Sequence, residues 1–139
     1  MRLRRDTKVE LIARAPLFER CSKRELAAIA SLADEVQLPE GRVVVREGEL
    51  GREFLVLMEG SAVVSRNGRR LATLGAGDFF GEIALVSKVP RTATVKTASP
   101  VRALAVSGRD FWALLDASPT ITRKIAEAMG DRLARQANL

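Results

Sequence analysis

The sequence contains no histidine and only one cysteine, and both shortages exclude classes of function. Without histidine there is no His-containing catalytic triad, no HExxH zinc site and no histidine metal cage. The single cysteine, Cys21, can form neither an intramolecular disulfide nor a CxxC metal site. We therefore expect a protein that is not an enzyme and holds no cofactor or metal, and the lone cysteine favours a cytoplasmic location.

Long uncharged runs are missing as well. The longest stretch without a charged side chain is Leu26–Ala33, eight residues, whereas a membrane-spanning helix needs about 20. No apolar run follows the basic N-terminus, so it does not have the form of a secretory signal. We expect no membrane partner. A chain of 139 residues that is 47% hydrophobic and 29% charged suits a single globular domain over residues 1–139.

The net charge of +6 lies on the flanks of the chain. Residues 1–30 carry eight basic and four acidic side chains, residues 31–119 carry eleven of each, and residues 120–139 carry four and two. Basic flanks are most often the solvated faces of helices. The alternative is a surface that binds nucleic acid or another polyanion.

Periodicity divides the chain into helices over residues 1–34, short strands over 35–106 and two helices over 107–137. Many short apolar runs separated by glycines favour a mainly β fold, an antiparallel jelly roll or double-stranded β-helix flanked by helices at both ends. The expected strands are Val43–Val45, Phe54–Met58, Ala62–Val64, Leu71–Leu74, Thr94–Thr97 and Val101–Val106.

Local signals mark where several of these elements begin or turn. Ser22 and Glu25 have the spacing of a capping box, which predicts a helix start. Asn67-Gly68 suits a tight hairpin because both residues tolerate positive φ. Ser107 is a plausible N-cap for the first C-terminal helix.

Apolar side chains at Ile121, Ile125, Met129 and Leu133 form a narrow stripe on the last helix. We expect this stripe, Phe79, Phe80 and Trp112 to belong to the core, and Cys21 to be an inert thiol. The alternative for the stripe is the seam of a homodimer.

One segment, residues 77–95, does not follow the strand pattern. Gly81 permits a close approach of the backbone or an unusual φ, and Glu82–Leu85 favour a helix of one or two turns. The start of a helix offers unpaired N–H groups to an anion. Arg91 follows closely, and its guanidinium offers a planar fork to phosphate oxygens. For two isolated charges, the alternative is a surface ion pair between Glu82 and Arg91.

At this point the sequence resembles a known family. Gly81-Glu82-Ile83-Ala84-Leu85, followed by Arg91-Thr92-Ala93-Thr94-Val95, is similar to the phosphate-binding cassette of cyclic-nucleotide-binding domains. These domains occur in catabolite-activator-type regulators, protein kinase A regulatory subunits and nucleotide-gated channels. A second signature also matches, with Gly48-Glu49, Gly51, the run Phe54–Leu57 and Gly60. The resemblance covers residues 10–137.

The resemblance implies a role for each matched residue. Arg91 would bind the cyclic phosphate, and Glu82 would accept a hydrogen bond from the ribose 2′-hydroxyl. The ligand shell would be completed by the cassette residues Gly81, Ile83, Ala84, Leu85, Thr92 and Ala93. A residue of the last helix would cap the purine, and the candidates there are Arg132, Arg135 and Gln136.

The resemblance further implies a ligand-responsive regulatory module that binds a cyclic nucleotide and signals through movement of the last helix. We expect cyclic AMP rather than cyclic GMP, although Thr92 could place a hydroxyl near the 2-amino group of guanine. No helix-turn-helix follows the last helix, so specific DNA binding is not expected; the effector protein is unknown. The alternative is a degenerate module that binds no ligand and interacts with nucleic acid or protein through its basic flanks.

Overall fold

The structure, a computed structural model, describes residues 5–82, 85 and 90–137, with side chains placed for residues 7–82, 85 and 90–131. Helices at both ends enclose a β-rich middle. The helical elements are α1 (Arg5–Ile12), a 3₁₀ helix (Pro16–Phe18), α2 (Lys23–Ala30), α3 (Gly108–Ala117) and α4 (Pro119–Ala137). The strands are β1 (Asp34–Leu38), β2 (Val43–Val45), β3 (Glu53–Glu59), β4 (Ala62–Arg66), β5 (Arg69–Leu74), β6 (Phe79–Phe80), β7 (Thr94–Thr97) and β8 (Val101–Ser107).

The strands form two four-stranded antiparallel sheets. One has the order β1-β8-β3-β6 and the other the order β2-β7-β4-β5. Because consecutive strands often change sheet, the chain winds around a shared interior, as it does in a jelly roll. The predicted mainly β jelly roll with helical flanks is therefore confirmed.

All six predicted strands are present, and the structure adds β1 and β6. The hairpin between β4 and β5 turns at Asn67 (φ 52°) and Gly68 (φ 77°), as the sequence predicts. Two consecutive positive φ angles match the right-handed twist of the flanking strands, which explains why this pair occupies the turn.

The central strand β3 is covered on both faces. Phe54 and Val56 point to the helices, where they meet Phe18 and Phe111 in the larger hydrophobic core. The Phe18 ring lies 5.9 Å from that of Phe54 and 5.8 Å from that of Phe111, centroid to centroid. The alternate residue Leu55 points between the two sheets, into a second core. Burial on both faces makes β3 a continuous apolar run rather than an alternating one.

The helix caps agree with the sequence. The Ser22 hydroxyl accepts from the Glu25 amide, and the Glu25 carboxylate accepts from the Ser22 amide, so the capping box is confirmed. The Ser107 hydroxyl accepts from the amide of Asp110 at the start of α3. On α3, Phe111 is fully buried, but Trp112 is 49% exposed, so the prediction that Trp112 is a core residue is wrong. One residue further along a helix, the side chain has turned by about 100° and faces solvent.

The first turns of α4 pack on the chain's own core. Ile121 and Ile125 are buried, and Met129 packs against the same cluster, whereas the side chain of Leu133 lies outside the described residues. The described part of the stripe is therefore occupied within this chain rather than offered to a partner.

Ion pairs connect α4 to the N-terminal part of the chain. The Arg20 guanidinium lies 3.1 Å from Glu127 Oε2 and 2.6 Å from Asp131 Oδ2. The Lys124 ammonium lies 2.6 Å from Glu25 Oε1. Two basic side chains of the flanks, Arg20 and Lys124, are thus paired with acids inside the molecule, which weakens the interpretation of the flanks as a polyanion-binding surface. Within the part of the chain that the structure describes, no helix is long and apolar enough to cross a membrane.

Candidate phosphate-binding site

The backbone of Arg91 is paired with the segment that connects β2 to β3. The Arg91 amide donates to the Glu49 carbonyl over 2.8 Å, and its carbonyl accepts from the Gly48 amide over 2.8 Å. An isolated β-bridge joins Leu50 and Pro90 next to them. These bonds bring together residues some 40 positions apart, so the two sequence signatures meet in space.

The guanidinium of Arg91 occupies a slot between two glycines. A Cβ added at Gly51 would overlap Arg91 Nε and Cζ, and one added at Gly81 would lie 2.5 Å from Nη1. Arg91 Nη2 donates to the Glu53 carbonyl over 2.8 Å. Gly81 has a φ of +85°, and its missing Cβ also leaves room for that same carbonyl. Both glycines are therefore needed for the position of the arginine.

The electrostatic environment of Arg91 suits an anion. The residue is half-buried, and its Nε is fully buried with no hydrogen-bond acceptor among the described residues. Burial lowers the pKa of the guanidinium, against a weaker raising effect of the Glu53 carboxylate. Arginine remains protonated in proteins, so the side chain presents a desolvated positive charge with an unused donor. A buried donor of this kind is stabilised by an acceptor that comes from outside.

A cavity of about 450 Å³ opens beside Arg91. Its apolar walls come from both sheets, and include Val36, Val44 and Leu55. Gly51 and Arg91 both line the cavity, so the cavity reaches the guanidinium next to Gly51. Gly81, in the cassette, also lies against the guanidinium. The volume is within the range of small-ligand pockets.

Glu82 lies away from this cavity. It is 5% exposed, and its Oε2 accepts from the backbone amide of Leu17 over 3.1 Å. Glu82 and Arg91 are therefore not a surface ion pair in this structure. The carboxylate faces the 3₁₀ helix, while the guanidinium faces the segment after β2.

The structure places the remaining predicted ligand residues as follows. Leu85 is fully buried and belongs to the larger core, Ala93 is half-buried, and Thr92 is exposed. The carbonyl of Thr92 accepts from Arg66 Nε over 2.8 Å. Ile83 and Ala84 lie outside the described residues, as do the side chains of Arg132, Arg135 and Gln136.

Two contributors to the site were not anticipated in their present roles. Gly51 was expected only as a match to the second signature, whereas it forms one wall of the slot. Leu17 contributes its backbone amide, and no side-chain pattern signals such a contact. Cys21 agrees with its prediction as an inert thiol, since burial raises its pKa to about 11 and only the thiolate is reactive. The described residues contain no group of three His, Cys, Asp or Glu side chains able to hold a metal ion.

The fold and the cassette define a class of ligand-binding regulatory domain, and comparisons with known proteins identify its family. The cyclic nucleotide-binding domain family matches residues 35–118. The chain therefore belongs to the family of cyclic nucleotide-binding domains.

Individual relatives agree. A cyclic nucleotide-gated potassium channel of Rhizobium etli is 36% identical over 123 residues, which cover 88% of this chain and 34% of the channel. A cAMP-dependent protein kinase regulatory subunit of Mycosarcoma maydis is 36% identical over 126 residues, covering 84% of this chain and 24% of the subunit. The N-terminal domain of a transcriptional regulator from Streptomyces coelicolor superposes with a TM-score of 0.83 at 27% identity, over 92% of this chain and 95% of that domain. The chain spans about a third of the length of the first curated relatives it matches.

Proposed function

We propose that this chain binds a 3′,5′-cyclic nucleotide and that Arg91 holds its phosphate. One observation carries the proposal: the guanidinium sits in a slot between Gly51 and Gly81 with a buried Nε that no described residue accepts from. A cyclic phosphodiester carries one negative charge. One desolvated arginine balances it, and the backbone amides that follow Gly81 would supply neutral donors.

Glu82 would take the ribose. A carboxylate beside a phosphate is repelled unless it accepts from a hydroxyl, and the ribose 2′-hydroxyl is a suitable donor. In this structure the Glu82 carboxylate is buried against Leu17, so this role requires a local rearrangement. The family signature at Gly81-Glu82 supports the assignment.

Cyclic AMP is the proposed nucleotide. A cAMP-dependent kinase regulatory subunit is among the relatives, at 36% identity. The side chain of Thr92 is exposed next to the cassette, and it could favour cyclic GMP by accepting from the 2-amino group of guanine. The purine cap is assigned to Arg132, Arg135 or Gln136, on the last turns of α4.

The module would report occupancy through α4. The ion pairs of Arg20 with Glu127 and Asp131 connect α4 to the segment that follows the 3₁₀ helix, and the buried Ile121 and Ile125 anchor its first turns. Nucleotide contacts that differ between two positions of α4 would shift the balance between them, typically by about 1–3 kcal/mol. The module would be non-enzymatic, and its cytoplasmic location remains an expectation.

Isothermal titration of the full chain with cyclic AMP and cyclic GMP tests the proposal. We expect measurable heat with both nucleotides and tighter binding of cyclic AMP. Arg91→Ala should weaken binding about 10- to 100-fold, because a charge-assisted contact is lost. Arg91→Lys should recover part of the affinity, since the charge remains while the fork is lost.

The control is Arg109→Ala, which removes an exposed arginine of α3 that does not line the cavity. It should leave the affinity within about twofold, since exposed charges act weakly. Absence of heat at high micromolar nucleotide, or equal losses in Arg91→Ala and Arg109→Ala, would overturn the proposal.

A further inference from the structure

A long-range hydrogen bond connects the cassette to the N-terminal segment. The Leu17 amide donates to Glu82 Oε2 over 3.1 Å, between residues 65 positions apart. Both residues are buried, with Leu17 3% and Glu82 5% exposed. Hydrogen bonds to a charged acceptor are about twice as strong as neutral ones, and burial shields this one from water. It is therefore a substantial local contact rather than an incidental one.

The same carboxylate is the group that the proposed function assigns to the ribose. Glu82 does not line the cavity beside Arg91. In its present position it faces the 3₁₀ helix Pro16–Phe18 rather than an accessible ligand. The carboxylate would have to turn away from Leu17 to reach a sugar hydroxyl.

We propose that the backbone amide of Leu17 competes with the nucleotide sugar for the carboxylate of Glu82. The inference rests on the proposed function and adds a regulatory element to it. In the empty protein the 3₁₀ helix holds Glu82, and in the bound protein the ribose holds it. Part of the intrinsic affinity is used to break the internal bond, so the apparent affinity is lower than the intrinsic one.

The change of partner at Glu82 also has a consequence for the 3₁₀ helix. When Glu82 leaves, the Leu17 amide loses its acceptor in a buried place, and an unpaired buried N–H is unfavourable. The 3₁₀ helix must then shift as an intact unit until water reaches that amide. Two residues after this helix, Arg20 is paired with α4, so the movement begins close to the contacts that hold α4.

Amide hydrogen exchange, measured by NMR on the full 139-residue chain, tests directly whether Glu82 changes its hydrogen-bond partner. We expect saturating cyclic AMP to increase the exchange rate of the Leu17 amide about tenfold or more. The internal control is the Phe18 amide, which donates to the Ala15 carbonyl in the same 3₁₀ helix and does not involve Glu82. A uniform increase at both amides would indicate general loosening and would overturn the specific competition.

A backbone substitution tests the competition by affinity. The lone Cys21 allows a synthetic segment of residues 1–20 to be joined to expressed residues 21–139 by native chemical ligation. Replacing the Leu17 amide by an ester removes its N–H and retains the side chain. We expect this ester to bind cyclic AMP about 3- to 10-fold more tightly than the all-amide semisynthetic protein, because the competitor is gone.

An ester at Phe18 is the matched control, since it removes the bond to the Ala15 carbonyl and leaves Glu82 held. Its affinity should equal that of the all-amide protein. If the amide of Leu17 instead positions Glu82 for the ligand, the Leu17 ester will bind more weakly. A weaker or unchanged affinity of the Leu17 ester would therefore overturn the competition.

The two proposals fail in different ways. Absence of heat with either nucleotide overturns the proposed function, and the competition with it. Normal binding together with an unchanged Leu17 exchange rate overturns the competition alone.

Discussion

Arg91 and Gly51 are in such close contact that the guanidinium occupies the space where any other residue at position 51 would place its Cβ. The arginine is thereby held between two stretches of backbone, at Gly51 and Gly81. Its position depends on the absence of side chains at these two positions as much as on the bond to the Glu53 carbonyl.

Gly51→Ala should displace the Arg91 side chain without unfolding the protein. The φ of Gly51 is not in the left-handed region, and the overlapping atoms belong to the end of a flexible side chain. We expect a stability change below about 1 kcal/mol and a loss of cyclic AMP affinity of about 10-fold or more, measured by chemical denaturation and titration calorimetry. Gly75→Ala, where a Cβ meets nothing within 4 Å, should change neither. Equal affinities for the two variants would contradict the claim that the space at Gly51 is required for the position of Arg91.

Gly81→Ala should reduce stability more than Gly48→Ala does. Both glycines have positive φ, +85° and +86°, so the backbone strain of about 1–2 kcal/mol is shared. At Gly81 the new Cβ would also overlap the Glu53 carbonyl, whereas at Gly48 it meets nothing within 4 Å. Urea denaturation should place Gly81→Ala at least about 1 kcal/mol below Gly48→Ala, in keeping with the cost of a forced steric fit. Indistinguishable midpoints would argue against this close approach.

Phe111→Ala and Trp112→Ala, at adjacent positions on α3, should differ sharply. Phe111 is fully buried against Phe18, whereas Trp112 is 49% exposed. We expect losses of about 3–5 kcal/mol for Phe111→Ala and within about 0.5 kcal/mol for Trp112→Ala. The free energy of unfolding from denaturant titration measures both, provided that a probe other than tryptophan fluorescence is used. A large loss at Trp112 would mean that this side chain is packed after all.

The contribution of Glu25 to stability should depend on pH. Its pKa is lowered, first by the hydrogen bond from the Lys124 ammonium and then by that from the Ser22 amide. A lowered folded-state pKa means that the contribution is complete above the ordinary value of 4.5 and is lost as the pH falls through the folded-state value. Glu25→Gln retains the capping box but removes the charge.

The stability difference between wild type and Glu25→Gln should therefore be larger at pH 7 than at pH 3. Glu10→Gln, at an exposed position on α1, is the control and should show little difference at either pH. A difference for Glu25→Gln that is the same at pH 7 and pH 3 would show that the charge is not involved.

The sequence predicted those elements whose signals are local. The capping box at Ser22 and the turn at Asn67-Gly68 depend on residues next to each other in the chain, and both were found. β1 was missed because Asp34 and Glu35 interrupt its apolar pattern. β1 lies at the edge of its sheet, so it can carry these two acidic residues. Glu35 forms an ion pair with Arg102 on the neighbouring strand β8. β6 was missed because two residues are too few for a period.

The sequence predicts only those candidate site residues that belong to the cassette motif. The signature gave Glu82 and Arg91 as a pair, but it could not give the amide of Leu17, because a backbone donor 65 positions away leaves no trace in the sequence. Trp112 was assigned to the core from its residue type, whereas its side of α3 is decided by packing.

The chain enters and leaves the β-sandwich at one place. β1 pairs with β8, and Asp34 at the start of β1 is opposite Ala105 near the end of β8. The helices before β1 and those after β8 pack into one layer on the same face of this sheet. An effector fused ahead of α1 or behind α4 would thus be attached to the same helical layer.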